Sequence, residues 1–188
     1  MRISGGAARG RPLRAPRGSR VRPTADKVRA AIFNILANRI DVAGQRWLDL
    51  FAGSGAMGLD ALSRGAAHVT FVDESAESCR FVRDNAERAG FAERSHVRRL
   101  QLPQAVRALG RSGERFDGAF VDPPYNQGLA DATLRVLGDS CVLTPGAWVV
   151  VEHAAKEPLG ERYGALRRDD ARRYGSTALT LYAMEEES

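Results

Sequence analysis

Hydrophobic and polar positions alternate along this chain in two kinds of segment, short apolar runs and longer stretches with one apolar face. The apolar runs predict buried β-strands at 47–50, 69–72, 96–99, 116–121 and 147–152. The amphipathic stretches predict helices at 24–37, 55–64, 76–89, 104–109 and 129–137. Strands at 166–174 and 177–184 then close the chain as a predicted antiparallel pair.

The order of these elements predicts the fold. Strands that alternate with helices form a parallel sheet covered on both faces, and the closing pair adds an antiparallel edge. We therefore expect an α/β fold with a mostly parallel, seven-stranded, doubly wound sheet. A chain of 188 residues suits one domain with a substantial core, which we place at residues 23–184. Residues 1–22 would form a basic N-terminal extension, and residues 185–188 an acidic tail.

The N-terminal part of the chain, residues 1–29, is distinguished by its charge. Residues 1–29 carry nine basic side chains against one acidic side chain, whereas the remainder of the chain carries 19 against 22. The whole net charge of +5 therefore arises from this part, mostly from arginine, which binds phosphate with a forked geometry. A concentrated basic arm predicts contact with nucleic acid; the alternative is a solvated tail. Extended pieces at 2–4 and 12–15 predict a β-hairpin within it.

The sequence Asp122-Pro123-Pro124-Tyr125 directly follows the predicted strand at 116–121. Neither proline can donate to a β-ladder, so the strand ends in a rigid turn between a carboxylate and an aromatic ring. Such a turn can hold a flat ring that bears an amino group. Asp122 and the Pro123 carbonyl would accept from the amino group, and Tyr125 would stack on the ring. These four residues are the predicted catalytic residues.

A second motif connects the first predicted strand to the following helix, Asp49-Leu50-Phe51-Ala52-Gly53-Ser54-Gly55. Its glycines allow a tight turn that a ligand can approach closely, and Gly58 completes the pattern G-x-G-x-x-G. Asp73 ends the second strand, where it could accept from ribose hydroxyls. These features indicate an adenosine-containing ligand. Asp49 favours one with a positive group, such as S-adenosylmethionine, because a carboxylate would repel a pyrophosphate.

Together these motifs resemble those of a known family. The F-x-G-x-G turn, the acid after the second strand and the DPPY sequence after the fourth are similar to those of class I S-adenosylmethionine-dependent amino-methyltransferases, which have a Rossmann-like fold. The resemblance narrows to the bacterial RsmD-type 16S ribosomal RNA guanine-N2 methyltransferases. The segment RPTADKVR at 22–29 makes the resemblance this specific. It is followed by Phe33-Asn34 and precedes the sequences DLFAGSG, LSRGA and FVDPPY. The similarity spans about residues 2–182.

The resemblance implies a methyl donor, a substrate and a set of binding residues. S-adenosyl-L-methionine would be the donor, bound by Asp49, Phe51, Ala52, Gly53, Ser54, Gly55, Asp73, Gln101, Leu102 and Asp122. The partner would be 16S rRNA, within a 30S subunit or an assembly intermediate, contacted by Arg9, Arg11, Arg14, Arg20, Arg22, Thr24, Tyr125 and Asn126. Gln101 and Leu102 stand where the family holds the adenine, although many relatives carry an acid or an asparagine there. Thr24 is also a predicted helix N-cap.

Other functions use parts of the same pattern and remain open at this point. The DPPY sequence also serves DNA adenine-N6 methylation, which usually needs a separate target-recognition domain. Cytosine-C5 methylation needs a cysteine nucleophile, and neither Cys79 nor Cys141 is near the Pro-Pro turn in sequence. A non-catalytic RNA-binding module is a third possibility. A nicotinamide-dependent dehydrogenase is the last, and it would usually need a further substrate domain.

Composition indicates the setting. The two cysteines and three histidines show no metal-ligand spacing, so no metal site is predicted. No apolar run approaches the length of a membrane span, and the N-terminus lacks the apolar core of a signal peptide. We therefore expect a cytoplasmic monomer that does not contact a membrane.

Overall fold

The structure, a computed structural model, describes residues 1–15 and 23–186, with residues 23–27 described by their backbone alone. The chain divides into two compact units, Met1–Leu100 and Gln101–Ser188. The described residues contain five α-helices, one short 3-10 helix and eight β-strands. The predicted α/β architecture is confirmed, and each predicted strand and helix is present. The additional strand, Arg162–Tyr163, was not predicted, because its two residues are too few to give an alternating pattern.

The first unit combines three helices with three parallel strands. Its elements are α1 (Pro23–Leu36), β1 (Arg46–Leu50), α2 (Ala56–Ser63), β2 (His68–Asp73), α3 (Ala76–Ala89), a 3-10 helix (Ala92–Arg94) and β3 (Ser95–Arg99). Strand β2 lies between β1 and β3 and runs parallel to both, with Leu48 opposite Thr70 and Phe71 opposite Val97. The interior residues of β1 and β2 are buried, as expected of parallel strands covered on both faces.

Local capping explains where two of these helices begin. The Ser75 side chain accepts from the backbone N–H of Ser78 at 3.2 Å, so α3 starts just after it. Helix α1 begins at Pro23, and proline suits the first helical position because its missing N–H has no intrahelical partner there. Thr24 therefore lies inside the first turn of α1, and its predicted role as the N-cap is wrong.

The N-terminal segment, residues 1–15, forms the predicted hairpin. Arg2 and Pro12 form an antiparallel bridge. Backbone hydrogen bonds extend the pairing, from Ile3 N–H to the Arg11 carbonyl and from Leu13 N–H to the Met1 carbonyl, both at 3.0 Å. Ile3 and Leu13 are buried. The described part of the basic extension, residues 1–15, is therefore folded as part of the first unit and is not a solvated tail.

A buried ion pair fastens the N-terminal segment to α1 and α2. Asp60 is completely buried, and its carboxylate accepts from the backbone N–H groups of Ser4 at 2.9 Å and Gly5 at 3.1 Å. Arg29 donates to the same carboxylate through Nε at 2.5 Å and to the backbone carbonyl of Arg2. Buried charges are tolerated when they are paired and hydrogen-bonded, as both are here. Arg29, part of the family-like segment, therefore has a structural role.

The second unit begins with parallel strands and ends with an antiparallel hairpin. Its elements are α4 (Gln104–Arg111), β4 (Phe116–Val121), α5 (Leu129–Gly138), β5 (Leu143–Ala154), β6 (Arg162–Tyr163), β7 (Leu166–Tyr174) and β8 (Thr177–Met184). Within this unit the strand order is β4-β5-β8-β7-β6. Strand β5 is parallel to β4 and antiparallel to β8, which confirms the antiparallel edge. Among the described residues, no helix is both long and apolar enough to cross a bilayer.

Candidate functional site

The glycine turn, Phe51–Gly55, connects β1 to α2 through three residues in the left-handed conformation. The φ angle is +61° at Phe51, +54° at Gly53 and +77° at Gly55. Glycine adopts this conformation without steric cost, whereas Phe51 is strained by it. Such strain in non-glycine residues is concentrated at functional sites. Among the described residues, a Cβ atom at Gly53 would meet only the Phe51 carbonyl oxygen, at 3.9 Å, so they leave the backbone open there to a ligand.

Hydrogen bonds fix the glycine turn against the end of β2. The N–H of Ala52 donates to the Val72 carbonyl at 3.1 Å, and the N–H of Gly53 donates to Oδ2 of Asp73 at 2.9 Å. The other oxygen of Asp73 accepts from the N–H of Ser75 at 2.8 Å. Asp73 therefore holds the turn in place. Each carboxylate oxygen can accept more than one hydrogen bond, so the ribose contact stays a prediction.

Asp49 is a buried acid beside the glycine turn, with 2% of its surface exposed. Its Oδ2 accepts from the N–H of Gly58 in the first turn of α2 at 2.9 Å. Burial raises the pKa of Asp49 to about 7; the hydrogen bond from Gly58 opposes this shift, and the negative charge of Asp73 adds to it. The protonation state of a carboxyl group with this pKa changes when a positive charge is brought beside it, because the charge favours the ionised form. The predicted contact of Asp49 with the positive group of the donor stays a prediction.

Gly58, the third glycine of the pattern, serves packing. A Cβ atom there would lie 2.3 Å from Cε1 of Phe71 and 2.7 Å from Cγ1 of Val69. Helix α2 can therefore approach β2 closely only because this position lacks a side chain. This explanation applies to any ligand, so Gly58 does not by itself favour a dinucleotide.

The DPPY turn, Asp122–Tyr125, follows β4 in the second unit. Asp122 and Pro124 are exposed, Pro123 is buried and Tyr125 is half-buried. The Tyr125 hydroxyl donates to Oε1 of Glu152 on β5 at 2.8 Å and lies 3.2 Å from Oγ1 of Thr177 on β8. Burial raises the pKa of Tyr125 above its ordinary value, and the neighbouring Glu152 carboxylate contributes to the rise. The tyrosine is therefore neutral and its hydroxyl end is anchored, while part of the side chain remains accessible.

Asn126 continues the DPPY turn in a left-handed conformation with φ of +60°. Asparagine tolerates this conformation better than most residues. Its N–H and that of Gly128 donate to the Glu157 carboxylate at 3.4 and 3.1 Å. Glu157 thus holds the segment that leads from the DPPY turn into α5. The contact of Asn126 with the substrate stays a prediction.

The remaining predicted cofactor residues follow β3. Gln101 is exposed and Leu102 is buried, immediately before α4. An exposed amide and an apolar side chain are compatible with a contact to adenine. That role stays a prediction.

Three of the predicted substrate-binding arginines lie in the N-terminal segment, and each is exposed. They are Arg9, Arg11 and Arg14. The guanidinium of Arg11 donates to the Arg88 carbonyl at 2.8 Å, which directs it along α3. Arg20 and Arg22 lie outside the described residues, as does the side chain of Thr24.

Each half of the predicted site is thus assembled within its own unit: Asp49, the glycine turn and Asp73 in the first, the DPPY turn and Asn126 in the second. Sequence reasoning missed the residues that fix these halves, namely Glu152, Glu157, Thr177 and Asn85. A signal exists for Asn85, which is a polar residue in the middle of the buried face of α3, between the apolar Val82 and Ala86. The other three gave no local signal.

Comparison with known proteins places the chain in a family. Residues 1–183 match the family described as Conserved hypothetical protein 95. The chain is 37% identical to Ribosomal RNA small subunit methyltransferase D of Escherichia coli (strain K12), over 98% of this chain and 90% of that protein. It is 36% identical to the Bacillus subtilis (strain 168) protein YlbH, over 97% and 98% of the two chains. The solved structure of yhhF from Escherichia coli has a TM-score of 0.83 at 33% identity, covering 100% and 99%.

A glycine turn after β1, an acid at the end of β2 and a DPPY turn after β4 define, in this α/β fold, a methyltransferase of Rossmann-like architecture. The fold and the enzyme class expected from the sequence are both confirmed. The chain belongs to the Conserved hypothetical protein 95 family, the family of RsmD-type methyltransferases.

Proposed function

We propose that this protein transfers a methyl group from S-adenosyl-L-methionine to the exocyclic N2 amino group of a guanine in 16S ribosomal RNA. The observation that carries the proposal is the DPPY turn, where the exposed Asp122 stands in the same rigid turn as a tyrosine anchored to two strands. The 37% identity to Ribosomal RNA small subunit methyltransferase D supports small-subunit rRNA as the substrate.

The first unit supplies groups that suit the methyl donor. The donor carries an ammonium and a sulfonium and has no phosphate, so a buried acid beside an open backbone turn is a fitting partner. Asp49 is such an acid, and a cation beside it would keep it ionised. Asp73 would hold the ribose. Gln101 and Leu102, which belong to the second unit, would hold the adenine. When bound, the donor supplies a methyl group made electrophilic by the sulfonium.

The second unit supplies groups that suit the acceptor. An aryl amine is a poor nucleophile because its lone pair is delocalised into the ring. Asp122 and the Pro123 carbonyl accept from its two hydrogens, which favours a pyramidal nitrogen with the lone pair directed at the methyl group. Tyr125 holds the base plane by stacking, and its anchored hydroxyl limits the movement of the ring. Aligned reactants gain about 7–11 kcal/mol, so orientation supplies much of the acceleration.

The N-terminal arginines supply the contact to RNA phosphates. Arg9, Arg11 and Arg14 are exposed, and Arg20, Arg22 and Thr24 are the further proposed contacts to the RNA. The base must be accessible, in a loop or flipped out of its stack. The enzyme acts as a cytoplasmic monomer on the 30S subunit or an assembly intermediate.

Mass mapping of modified nucleosides tests the proposal. We expect N2-methylguanosine at one position of 16S rRNA from cells that contain the protein, and unmodified guanine there in cells that lack it. In vitro, the purified protein should transfer label from S-adenosylmethionine to 16S rRNA or 30S subunits and not to duplex DNA. Methyl transfer to adenine in DNA would instead establish the DNA adenine-N6 alternative.

An Asp122→Asn variant tests the catalytic assignment. The asparagine side chain keeps the size of the carboxylate but loses its charge and one acceptor oxygen. We expect turnover to fall at least about a hundredfold, a typical contribution of a positioned catalytic group, while S-adenosylhomocysteine still binds. Unchanged turnover would remove Asp122 from the mechanism. Asp139→Asn, at the C-cap of α5 in the same unit, is the matched control.

A further inference from the structure

Asn85 connects the N-terminal segment directly to the glycine turn. It lies on the buried face of α3 with 1% of its surface exposed. Its Oδ1 accepts from the N–H of Arg14 at 2.9 Å, and its Nδ2 donates to the Arg14 carbonyl at 2.8 Å and to the Ser54 carbonyl at 2.9 Å. These three partners use both donors and an acceptor of one amide group. They also fix its orientation, because the N–H of Arg14 requires an oxygen.

The bond from Asn85 completes the fixation of one peptide unit in the glycine turn. The Ser54–Gly55 peptide is held at its carbonyl by Asn85, and its N–H donates to the Ala52 carbonyl at 2.7 Å. A peptide held at both ends cannot rotate without breaking two hydrogen bonds. The Ser54 hydroxyl lies 3.3 Å from the Met1 sulfur, a second contact between the turn and the N-terminal segment.

Arg14 takes part both in the hydrogen bonds to Asn85 and in the basic surface of the N-terminal segment. Its backbone makes two hydrogen bonds to Asn85, while the residue itself is exposed and adds its charge to those of Arg9 and Arg11. A phosphate bound by the Arg14 guanidinium therefore restrains the backbone that Asn85 ties to the turn. When the backbone of the N-terminal segment is restrained in this way, less conformational entropy is lost when a ligand orders the glycine turn.

We propose that Asn85 is a positioning residue that couples RNA binding at the N-terminal arginines to methyl-donor binding at the glycine turn. The inference rests on the proposed function, since it takes RNA as the ligand of these arginines. Thermodynamic linkage makes the effect reciprocal: RNA tightens donor binding by the same factor as the donor tightens RNA binding. The enzyme would thus hold its donor most firmly when a substrate is in place.

The test is the affinity for S-adenosylhomocysteine, measured by calorimetry with and without transcribed 16S rRNA. We expect rRNA to lower the dissociation constant at least about fivefold in the unmodified protein, the lower bound of typical coupling. In Asn85→Leu, which keeps a similar volume without hydrogen bonds, the ratio of the two constants should fall to about one. In Asn85→Asp, which keeps the acceptor for the Arg14 N–H and loses the donors to the Ser54 and Arg14 carbonyls, the ratio should also fall.

Ser63→Ala is the matched control. The Ser63 hydroxyl also fastens the N-terminal segment, donating to the Gly5 carbonyl at 2.6 Å and accepting from the N–H of Ala8 at 2.8 Å, but it does not contact the glycine turn. This variant should keep the coupling ratio of the unmodified protein. Equal loss of coupling in Ser63→Ala would assign the effect to general loosening of the segment and overturn the role of Asn85.

A measurement on the unmodified protein covers the case in which the Asn85 variants do not fold. Hydrogen exchange at the Gly55 amide should slow when 16S rRNA is added, and an unchanged rate would overturn the coupling. The failures remain distinguishable. Absence of any rRNA binding contradicts the proposed function, whereas rRNA and S-adenosylhomocysteine that bind independently contradict the coupling alone.

Discussion

Asp49 and Tyr125 show how single residues acquire their chemistry from burial. Each has an ionisable group whose neutral form is favoured because the surroundings exclude water. The consequences differ. The pKa of Asp49 is raised into the physiological range, so its charge can respond to a ligand. The pKa of Tyr125 is already far above that range and rises further, so its hydroxyl serves only as a hydrogen-bonding anchor.

Donor affinity should depend on pH through Asp49. With a pKa of about 7, Asp49 is mostly ionised at pH 8 and mostly protonated at pH 6. In the proposed complex the donor ammonium favours the ionised form of Asp49, so donor affinity should fall about tenfold between pH 8 and pH 6. Calorimetric titration of S-adenosylhomocysteine, which keeps the ammonium, measures this change. Asp49→Asn should bind weakly at both values; a pH dependence that survives in this variant would come from another group.

Thermal stability checks the same pKa independently. Because the folded-state pKa is raised above its ordinary value of 3.8, the contribution of Asp49 to stability is fully present below pH 3.8. It is lost as the pH rises through about 7. Between pH 3.8 and about 7, the melting temperature of the ligand-free protein should therefore decline more steeply with rising pH than that of Asp49→Asn.

Removing the Tyr125 hydroxyl should slow methyl transfer without preventing donor binding. Tyr125→Phe loses the bonds to Glu152 and Thr177, so the ring would be less firmly held against the base in the proposed complex. We expect turnover to fall about tenfold, the cost of about 1.4 kcal/mol in transition-state stabilisation. Tyr163→Phe is the control, because that hydroxyl bonds Asp131 and the N–H of Gly160, both at 2.7 Å, away from the DPPY turn. An equal loss in both variants would indicate general destabilisation.

At the scale of elements, strand ends and helix starts determine where the functional groups lie. The glycine turn follows β1, Asp73 ends β2 and the DPPY turn follows β4. These placements were predictable, because apolar runs locate buried strands and the motifs follow them directly. The partners that fix the motifs were not predictable. Glu152 stands 27 residues from Tyr125 and Asn85 stands 31 from Ser54, so only tertiary folding brings them together.

Helix α2 should be displaced by a single methyl group at Gly58. A Cβ atom there would overlap the Phe71 ring at 2.3 Å, which predicts a destabilisation of about 1–3 kcal/mol for Gly58→Ala and weaker donor binding. Gly110 in α4 is the matched control, since its Cβ would meet the nearest atom at 3.5 Å. Gly110→Ala should be neutral or stabilise by up to about 1 kcal/mol. Denaturant unfolding measures both, and the packing explanation fails if the two variants agree.

For the whole molecule, the distribution of charge matters more than its total. The chain has a net charge of +5, yet residues 1–29 alone hold a large basic excess. The sequence predicted this asymmetry and the hairpin. It did not predict that the N-terminal segment would be an integral part of the first unit. Asp60, which accepts from Ser4 and Gly5, stands 56 residues from Ser4 in the sequence, so only tertiary folding brings them together.

Neutralising exposed arginines should weaken RNA binding in a salt-dependent way. In a double variant, Arg9→Gln with Arg14→Gln, the slope of log affinity against log salt should decrease by about 0.7–0.9 for each RNA phosphate that the protein no longer neutralises. The matched control is Arg107→Gln, which removes an exposed positive charge from α4. Filter binding of 16S rRNA over a range of salt concentrations measures the slopes. An unaltered slope in the double variant would remove these arginines from the RNA surface.

The buried carboxylate of Asp60 limits how this protein can be shortened. Ser4 and Gly5 supply three backbone and hydroxyl donors to that carboxylate. Truncation of the first fifteen residues would leave an anion in an apolar interior with Arg29 as a remaining neighbour. Such a shortened chain would be prone to degradation, and its failure to bind RNA would reflect misfolding. Point substitutions of exposed residues are therefore the reliable way to test the function of the N-terminal segment.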